Sequence, residues 1–520
     1  MPASESTVEH GLRLQRAGRL TDAEQIYQDV LRRQPDHFDA LHLLGIIATQ
    51  TGRPELAVEL LGRAIALRPG ASEAYNNRGN ALENLGRFEE ALSHYGRAIA
   101  LAPNSVDAYT NRGAVLRTLG RLEAALSSCD KAIALNPDFA EAHNNRGNAL
   151  RDLGHFEAAL ASYDRAIPLN PDHAAAYNNR GTVLRDLGRL EAALSSYDRA
   201  IALRPDATEA YSNQSMCHLA MGDYERGWPM YEWRWNTWWA RPRHNLPGVP
   251  WLGDSPIEGK TILVHAEQGL GDSLQFCRYV PELATRATVV LDVPRPLVRL
   301  LSGLTGVARI IASGDSLPRF DAWIPMMSLP LAFGTTLATI PASVPYLYAD
   351  PERSATWKQR LAALPGRKVG LVWSGSSRPE VPNAFATDRR RSITLQHYAP
   401  LAAIRDVCLI SLQKDAVGAV TPPEGMVLHD WTGELDDFAD TAALVDALDL
   451  VVSVDTSVVH LAGALGKRVW VLNRYDQCWR WLLNRTDSPW YPTARLFRQH
   501  APGDWSGVIR DVAEALCAGE

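Results

Sequence analysis

At 520 residues the chain is too long for a single domain; a domain takes roughly 100–200 residues, which points to about three. Its composition (46% hydrophobic, 22% charged, 8% aromatic) is globular and excludes a disordered or fibrous polypeptide. A net charge of −6 does not favour a polyanionic partner, so no nucleic acid is expected.

Tryptophan divides the chain. All 15 lie at or beyond Trp228, so two unlike segments join near residue 230. The first residues, MPASESTVEHGLRLQRAG, lack the apolar core of a signal peptide, and no apolar run is long enough to cross a membrane. The expected address is the cytoplasm, with no transmembrane segment. Cys129, Cys217, Cys277, Cys408, Cys478 and Cys517 are scattered without a CxxC pair, which implies neither a zinc site nor a disulfide framework.

The first segment is periodic. Prolines recur 34 residues apart at Pro35, Pro69, Pro103, Pro137, Pro171 and Pro205. In phase run Gly11, Gly45, Gly79, Gly113, Gly147 and Gly181, then Gly18, Gly52, Gly86, Gly120, Gly154, Gly188 and Gly222, and alanines from Ala23 to Ala193. This pattern resembles the tetratricopeptide repeat, whose unit is a pair of antiparallel helices stacked into an α-solenoid. The first glycine lets the paired helices approach, the second ends the first helix, and proline ends the second. Six full units run from about residue 4 to 207; a seventh starts near Thr208 and degenerates. Its last helix, DYERGWPMYEWRW, reads as a cap that joins the array to the next domain.

Asn77, Asn111, Asn145, Asn179 and Asn213 repeat at the same interval in first helices. By spacing they form a ladder on the concave face. An amide both donates and accepts, so such a ladder can hold a peptide backbone whatever its side chains. Protein O-GlcNAc transferases carry a similar ladder for the acceptor polypeptide. The plainer alternative is an Asn that bonds within the array, and a docking scaffold without chemistry also stays open.

From Lys260 the pattern turns to short apolar runs alternating with helical segments. TILVHAE, ATVVLDV, ARIIAS and AWIPMM read as one series of buried parallel strands. VGLVWSG, VCLISLQ, MVLHDW, LVVSVD and RVWVLN read as a second. Two such series predict an α/β pair of Rossmann-like domains with a ligand in the cleft between them. The expected boundaries are a repeat array with its cap over 1–240, a linker at 241–258, a first α/β domain over 259–352, an interdomain linker at 353–366 and a second α/β domain over 367–520.

Three loops at strand ends carry the candidate chemistry. In HAEQGLGDSLQF, Gln268, Gly269 and Gly271 form a tight turn before Asp272. Asp272 is either a carboxylate that takes a proton from an attacking group or a helix N-cap. In the second loop, Ser374 and Gly375 precede the basic run ending in Arg391, residues able to hold phosphate with backbone N–H groups and a guanidinium. The alternative there is a solvated basic loop. In the third, Asp455 ends a strand, and Thr456, Ser457 and His460 open a helix suited to phosphate at its N-terminus. Read alone, His460 is a core histidine satisfied by backbone.

With these motifs in view, GLGDSLQF and DTSVVHLAGALGKRVWVL resemble heptosyltransferase-type (family 9-like) GT-B glycosyltransferases. The whole chain resembles bacterial tetratricopeptide-repeat glycosyltransferase family proteins, through GDYERGWPMYEWRW, HAEQGLGDSLQFCRYV and DSPWYPTARLFRQ as well. The architecture resembles protein O-GlcNAc transferase, but the glycine and paired-threonine pattern of that family is replaced by VDTSVVHLAGALG. The resemblance implies a GT-B fold, Asp272 as general base, Asp455 on the donor side, Thr456, Ser457 and His460 as phosphate contacts, and Arg391 as a phosphate clamp. Gln413 and Lys414 are further candidates for the nucleotide, and Asp440, Thr441 and Trp479–Trp481 for the cleft wall, against a helix cap and packing aromatics.

The resulting expectation is a transferase moving a sugar from a nucleotide-sugar to a protein or peptide held by the array, inverting and metal-independent, since no Asp-x-Asp triplet occurs. No cofactor beyond the nucleotide-sugar co-substrate is expected. Two rivals stay open: transfer to a lipid-linked or polysaccharide acceptor, with the repeats recruiting a partner, and a nucleotide-binding scaffold without turnover. The spacing is compatible with a monomer or a homodimer, and base and sugar are unassigned.

Overall fold

The computed structural model describes residues 3–236, 246–375, 388–414, 421–476 and 478–519. They fall into two compact units, Met1–Leu184 with Ala202–Arg204, and Arg185–Ile201 with Pro205–Glu520.

The first unit is all-helical. Its pairs are α1 (Ala3–Arg16) and α2 (Leu20–Arg33), α3 (Phe38–Gln50) and α4 (Pro54–Leu67), α5 (Ser72–Asn84) and α6 (Phe88–Leu101), α7 (Val106–Thr118) and α8 (Leu122–Leu135), and α9 (Ala140–Asp152) and α10 (Phe156–Leu169), followed by α11 (Ala174–Asp186). The glycine arithmetic is realised in the backbone. Gly154, at φ +84°, makes the left-handed turn after α9 that a β-carbon would oppose. Gly79 permits contact: a β-carbon there would stand 2.5 Å from the Tyr95 ring. Tyr95 is fully buried in the gap, and its hydroxyl donates to Asn80 Oδ1 at 2.7 Å. First helices of successive repeats touch one another (α3 with α5, α5 with α7, α7 with α9), which places the asparagine column along one face.

The second unit takes in most of α12 (Leu190–Leu203), then α13 (Thr208–Ala220), α14 (Tyr224–Tyr231) and the α/β region. The seventh repeat and its cap thus share a compact unit with the sheets. Trp228 on α14 is 2% exposed and lies edge-on to Trp479 at 5.3 Å between centroids. Tyr211 stacks on Trp233 at 3.9 Å. Residues 237–245, the end of the expected cap and the 241–245 part of the expected 241–258 linker, lie outside the described residues. Beyond them, Trp251 is buried; its backbone N–H donates to Trp323 O at 2.8 Å and its indole N–H to Ser255 O at 2.9 Å.

Two parallel sheets complete the unit. The first holds β1 (Thr261–His265), β2 (Thr288–Val293), β3 (Val307–Ala312) and β4 (Ala322–Pro325) in the order β3-β2-β1-β4. The second holds β5 (Arg367–Val372), β6 (Val407–Ser411), β7 (Leu428–Asp430), β8 (Leu450–Val454), β9 (Val469–Asn473) and β10 (Ala494–Arg498) in the order β10-β9-β8-β5-β6-β7. Apolar side chains cover the second sheet, among them Val369, Leu371, Val452, Leu472, Trp505 and Ile509.

Three details differ from expectation. β10, ARLFR, is a sixth strand of the second series; with Arg495 and Arg498 on its half-buried positions it lacks an uninterrupted apolar run. β3 is an edge strand with Ala308 and Arg309 exposed rather than a buried one. The stretch read as the linker at 353–366 is helical for most of its length (Pro351–Ala362), because Asp350 caps it, Pro351 opens it, and Trp357 and Leu361 are buried.

Candidate functional site

In each sheet the strand order reverses at one place: between β1 and β4 in the first, between β5 and β8 in the second. Loops leaving the carboxyl ends of strands at such a reversal diverge to opposite sides and leave a crevice. Gln268–Asp272 follows β1. Ser374–Gly375 follows β5, and Asp455–Ser457 follows β8. The three loops singled out from sequence therefore leave strands that flank the two reversals.

Two of them meet. A β-carbon on Gly271 would stand 2.8 Å from His460 Cδ2 and 3.3 Å from Ser457 Cα, so only glycine lets the first loop lie on the helix Ser457–Ala464. Thr456 is the N-cap of that helix but makes no side-chain cap; its hydroxyl bonds instead to Ser453 Oγ at 3.1 Å. His460 is a buried core histidine, satisfied by the Tyr491 hydroxyl at 3.0 Å rather than by backbone, and stacked on Trp481. Burial, with Arg480, Arg278 and Arg391 nearby, holds its pKa well below the ordinary range, so it is neutral at pH 7.

Asp272 is the third residue of the helix Leu270–Phe276 and caps it from inside: Gly269 N–H donates to Oδ2 at 2.8 Å. Its other oxygen accepts from Arg480 Nη2. Arg480 also donates from Nε to Gln275 Oε1 at 2.8 Å and lies over the Trp479 ring at 4.4 Å. Gln275 is wholly buried, and its Nε2 has no hydrogen-bond partner among the described residues. Gln268 donates to the Tyr231 hydroxyl at 2.8 Å, tying the glycine loop to α14.

At the end of β5, Gly375 admits Arg391: a β-carbon there would lie 2.5 Å from Nη2. Arg391 donates to Asp455 O at 2.9 Å and pairs with Asp388 at 2.5 Å, while its buried Nε has no hydrogen-bond partner among the described residues. Ser374, Gly375, Arg391, Asp455 and the Thr456–Ser457 helix start are thus gathered at the second reversal. Residues 376–387 of the basic loop lie outside the described residues. Gln413 and Lys414 have structural work. Gln413 accepts from Trp373 and Ser374 N–H at 3.0 and 2.8 Å and donates to Lys414 O, and Lys414 donates to Leu435 O. Asp440 is a buried ion-pair partner of Arg299 and Arg353, and Thr441 bonds to Asp437 O.

Asparagines of the repeats bond mainly within the array. Asn77 Nδ2 meets His42 Nε2 at 2.8 Å. Asn111 Nδ2 donates to Asn76 and Asn80 at 3.2 and 3.0 Å, and Asn179 Nδ2 to Asn144 at 3.0 Å. Asn145 Oδ1 accepts from its neighbour Asn144 at 3.3 Å. Asn213, in the second unit, accepts from Arg185 Nη1 at 3.1 Å. Asn77, Asn111 and Asn179 thus link successive repeats through their amide nitrogens.

Two features were not read from sequence. Buried Arg234 bonds to Glu232 at 2.6 Å, to Ser328 at 2.7 Å and to Glu267 at 3.1 Å. Burial pushes the Glu267 carboxyl up to about 7, against the pull of Arg234. Its signal was its place beside Gln268. The other is the pairing of Asp272 with Arg480 across 208 residues, which no local pattern encodes. Among the described residues, no three or more His, Cys, Asp or Glu side chains are grouped as metal ligands, and no helix is long and apolar enough to cross a membrane.

Tetratricopeptide-repeat family models match residues 8–72, 144–208 and 181–227, and residues 72–105 and 106–139. The chain carries tetratricopeptide repeats, a scaffold for protein–protein interaction. It is 30% identical over 332 residues to protein FlbA of Caulobacter vibrioides, covering 57% of this chain. The chain spans about half (53%) of that relative's length. Among solved structures it is similar to MamA (27% identity, 32% of this chain and 96% of that one, TM-score 0.29). It is also similar to PilF of Pseudomonas aeruginosa (21% identity, 41% and 97%, TM-score 0.36).

Proposed function

We propose that the chain is a glycosyltransferase of GT-B architecture that moves a sugar from a nucleotide-sugar to a protein or peptide acceptor. The observation that carries this reading is the seating of the Gly271 loop on the N-terminus of the helix Ser457–Ala464. It joins the reversal points of two parallel sheets, where an α/β fold takes a nucleotide. The surroundings suit an anion. Arg480, Arg278 and Arg391 all act on His460, which is itself uncharged. The helix start has no side-chain cap, so its N–H groups can serve a diphosphate.

In the proposed inverting transfer, Asp272 accepts the acceptor's proton as its oxygen or nitrogen attacks the anomeric carbon. The bond from that carbon to the diphosphate oxygen breaks on the opposite face. The charge growing on the leaving diphosphate is met by the helix N–H groups, Thr456, Ser457 and Arg391, whose spare Nε–H can donate. Positive charge at the site comes from arginine and a helix terminus, so the step needs no metal. Gln413 and Lys414 contribute by bracing the loop after β5.

The test is transfer from a panel of UDP-, GDP- and ADP-sugars to polypeptide acceptors, with Asp272→Asn alongside. Turnover by the native protein that is lost in Asp272→Asn is the expected result; no turnover of any donor, or equal activity in the variant, refutes it.

A second reading is favoured by the bonds of the asparagine column. Asn111 spends both amide hydrogens on Asn76 and Asn80. In that reading the repeats recruit a partner protein, and the acceptor, lipid-linked or polysaccharide, binds to the α/β region alone.

A further inference from the structure

We infer that Arg480 is a positioning residue for the Asp272 carboxylate, holding it aimed from the far sheet. The inference deepens the reading of Asp272 as the proton acceptor and rests on it. Asp272 belongs to the loop after β1, whereas Arg480 belongs to the segment after β9. The two side chains are partly and mostly buried, at 22% and 11% exposure, so solvent screens their attraction only in part.

Arg480 is itself held from three sides. Nε donates to the buried Gln275, one turn beyond Asp272 on the same helix. Nη1 donates to Cys478 Sγ at 3.2 Å. The guanidinium plane rests on Trp479, which stands edge-on to Trp228 of α14. With the third donor, Nη2, on Asp272, the planar fork fixes the carboxylate's direction as a flexible ammonium would not. Gly269 N–H holds the other oxygen. A carboxylate offers about four lone-pair positions, so this double grip still leaves it able to accept a proton.

The test reads that aim without any substrate. Hydrogen exchange at the Gly269 amide, whose N–H donates to Asp272 Oδ2, is followed by mass spectrometry in the full chain. In Arg480→Met this amide should exchange about tenfold or more faster than in the native protein, and Arg480→Lys should recover part of the protection. Arg480→Gln gives the same reading if Arg480→Met does not fold. Unchanged exchange in a folded variant overturns the inference, even if a donor is turned over. Conversely, faster exchange with no turnover of any donor upholds Arg480 and refutes the transferase reading. Where transfer is detected, Arg480→Met should lower kcat with little change in KM, and Arg480→Lys should restore part of kcat.

Discussion

Gly271 and His460 meet so closely that one added methyl group, 2.8 Å from the imidazole, would have to move a ring already stacked on Trp481. The glycine is thus a spacing device between two sheets. Gly271→Ala should cost about 1–3 kcal/mol, the usual range for overpacking. It should also weaken nucleotide binding, because relief moves the helix start at Ser457. Urea denaturation and nucleotide titration of the same variant check both; unchanged values would show the two elements to be independent.

His460 also supplies a pH dependence. Its folded pKa lies below the unfolded value near 6.5. Between the two, the unfolded chain binds more protons than the folded one, so stability rises with pH across that window. Acidification below about pH 6.5 should therefore destabilise the native protein, and His460→Gln should flatten that slope. Unfolding curves at pH 7.5, 6.5 and 5.5 measure it, and parallel slopes in the two proteins would contradict it.

Trp228 tests the junction. Buried among Trp479, Phe276 and Tyr231, it joins α14 to the ring under Arg480. Trp228→Ala should cost about 3–5 kcal/mol, as large aromatic truncations do, and should speed hydrogen exchange at the Gly269 amide by loosening Arg480 and with it Asp272. Thermal unfolding and the exchange measurement check both halves.

The asparagine column separates the two readings of the repeats. Replacing Asn77, Asn111 and Asn179 by Ala should lower stability by about 1 kcal/mol per site if they chiefly link repeats. It should leave stability nearly unchanged, and abolish acceptor binding, if they chiefly serve a peptide. Denaturation of the triple variant, with a polypeptide-binding assay, distinguishes them.

How much of the molecule is legible in its sequence depends on the range of the forces involved. The 34-residue period survives in the sequence because each turn at a residue such as Gly154 is decided by one φ angle, and each gap such as that at Gly79 by one ring. The loops around Asp272 and Thr456 stood out because strand ends and glycine turns are local signals. The strand β10 did not, since its apolar residues are interrupted by arginines that pack along their stems. The partners of Lys414, Asp440 and Asp272 were hidden for another reason. They come from residues 21, 87 and 208 positions away, a separation over which side-chain chemistry leaves no pattern. The asparagine ladder shows the limit from the other side: its spacing was plain, but its bonds to the preceding repeat became visible only with helices in place.

The most direct measurement of the central claim is calorimetric titration of the full chain with UDP, GDP and ADP, beside Arg391→Ala. The structure at the two reversal points predicts saturable binding of one of these nucleotides. It also predicts an affinity about tenfold or more lower in Arg391→Ala, since a charge-assisted hydrogen bond contributes roughly 1.5–3 kcal/mol. Absence of binding by all three would contradict the assignment of this site to a nucleotide-sugar.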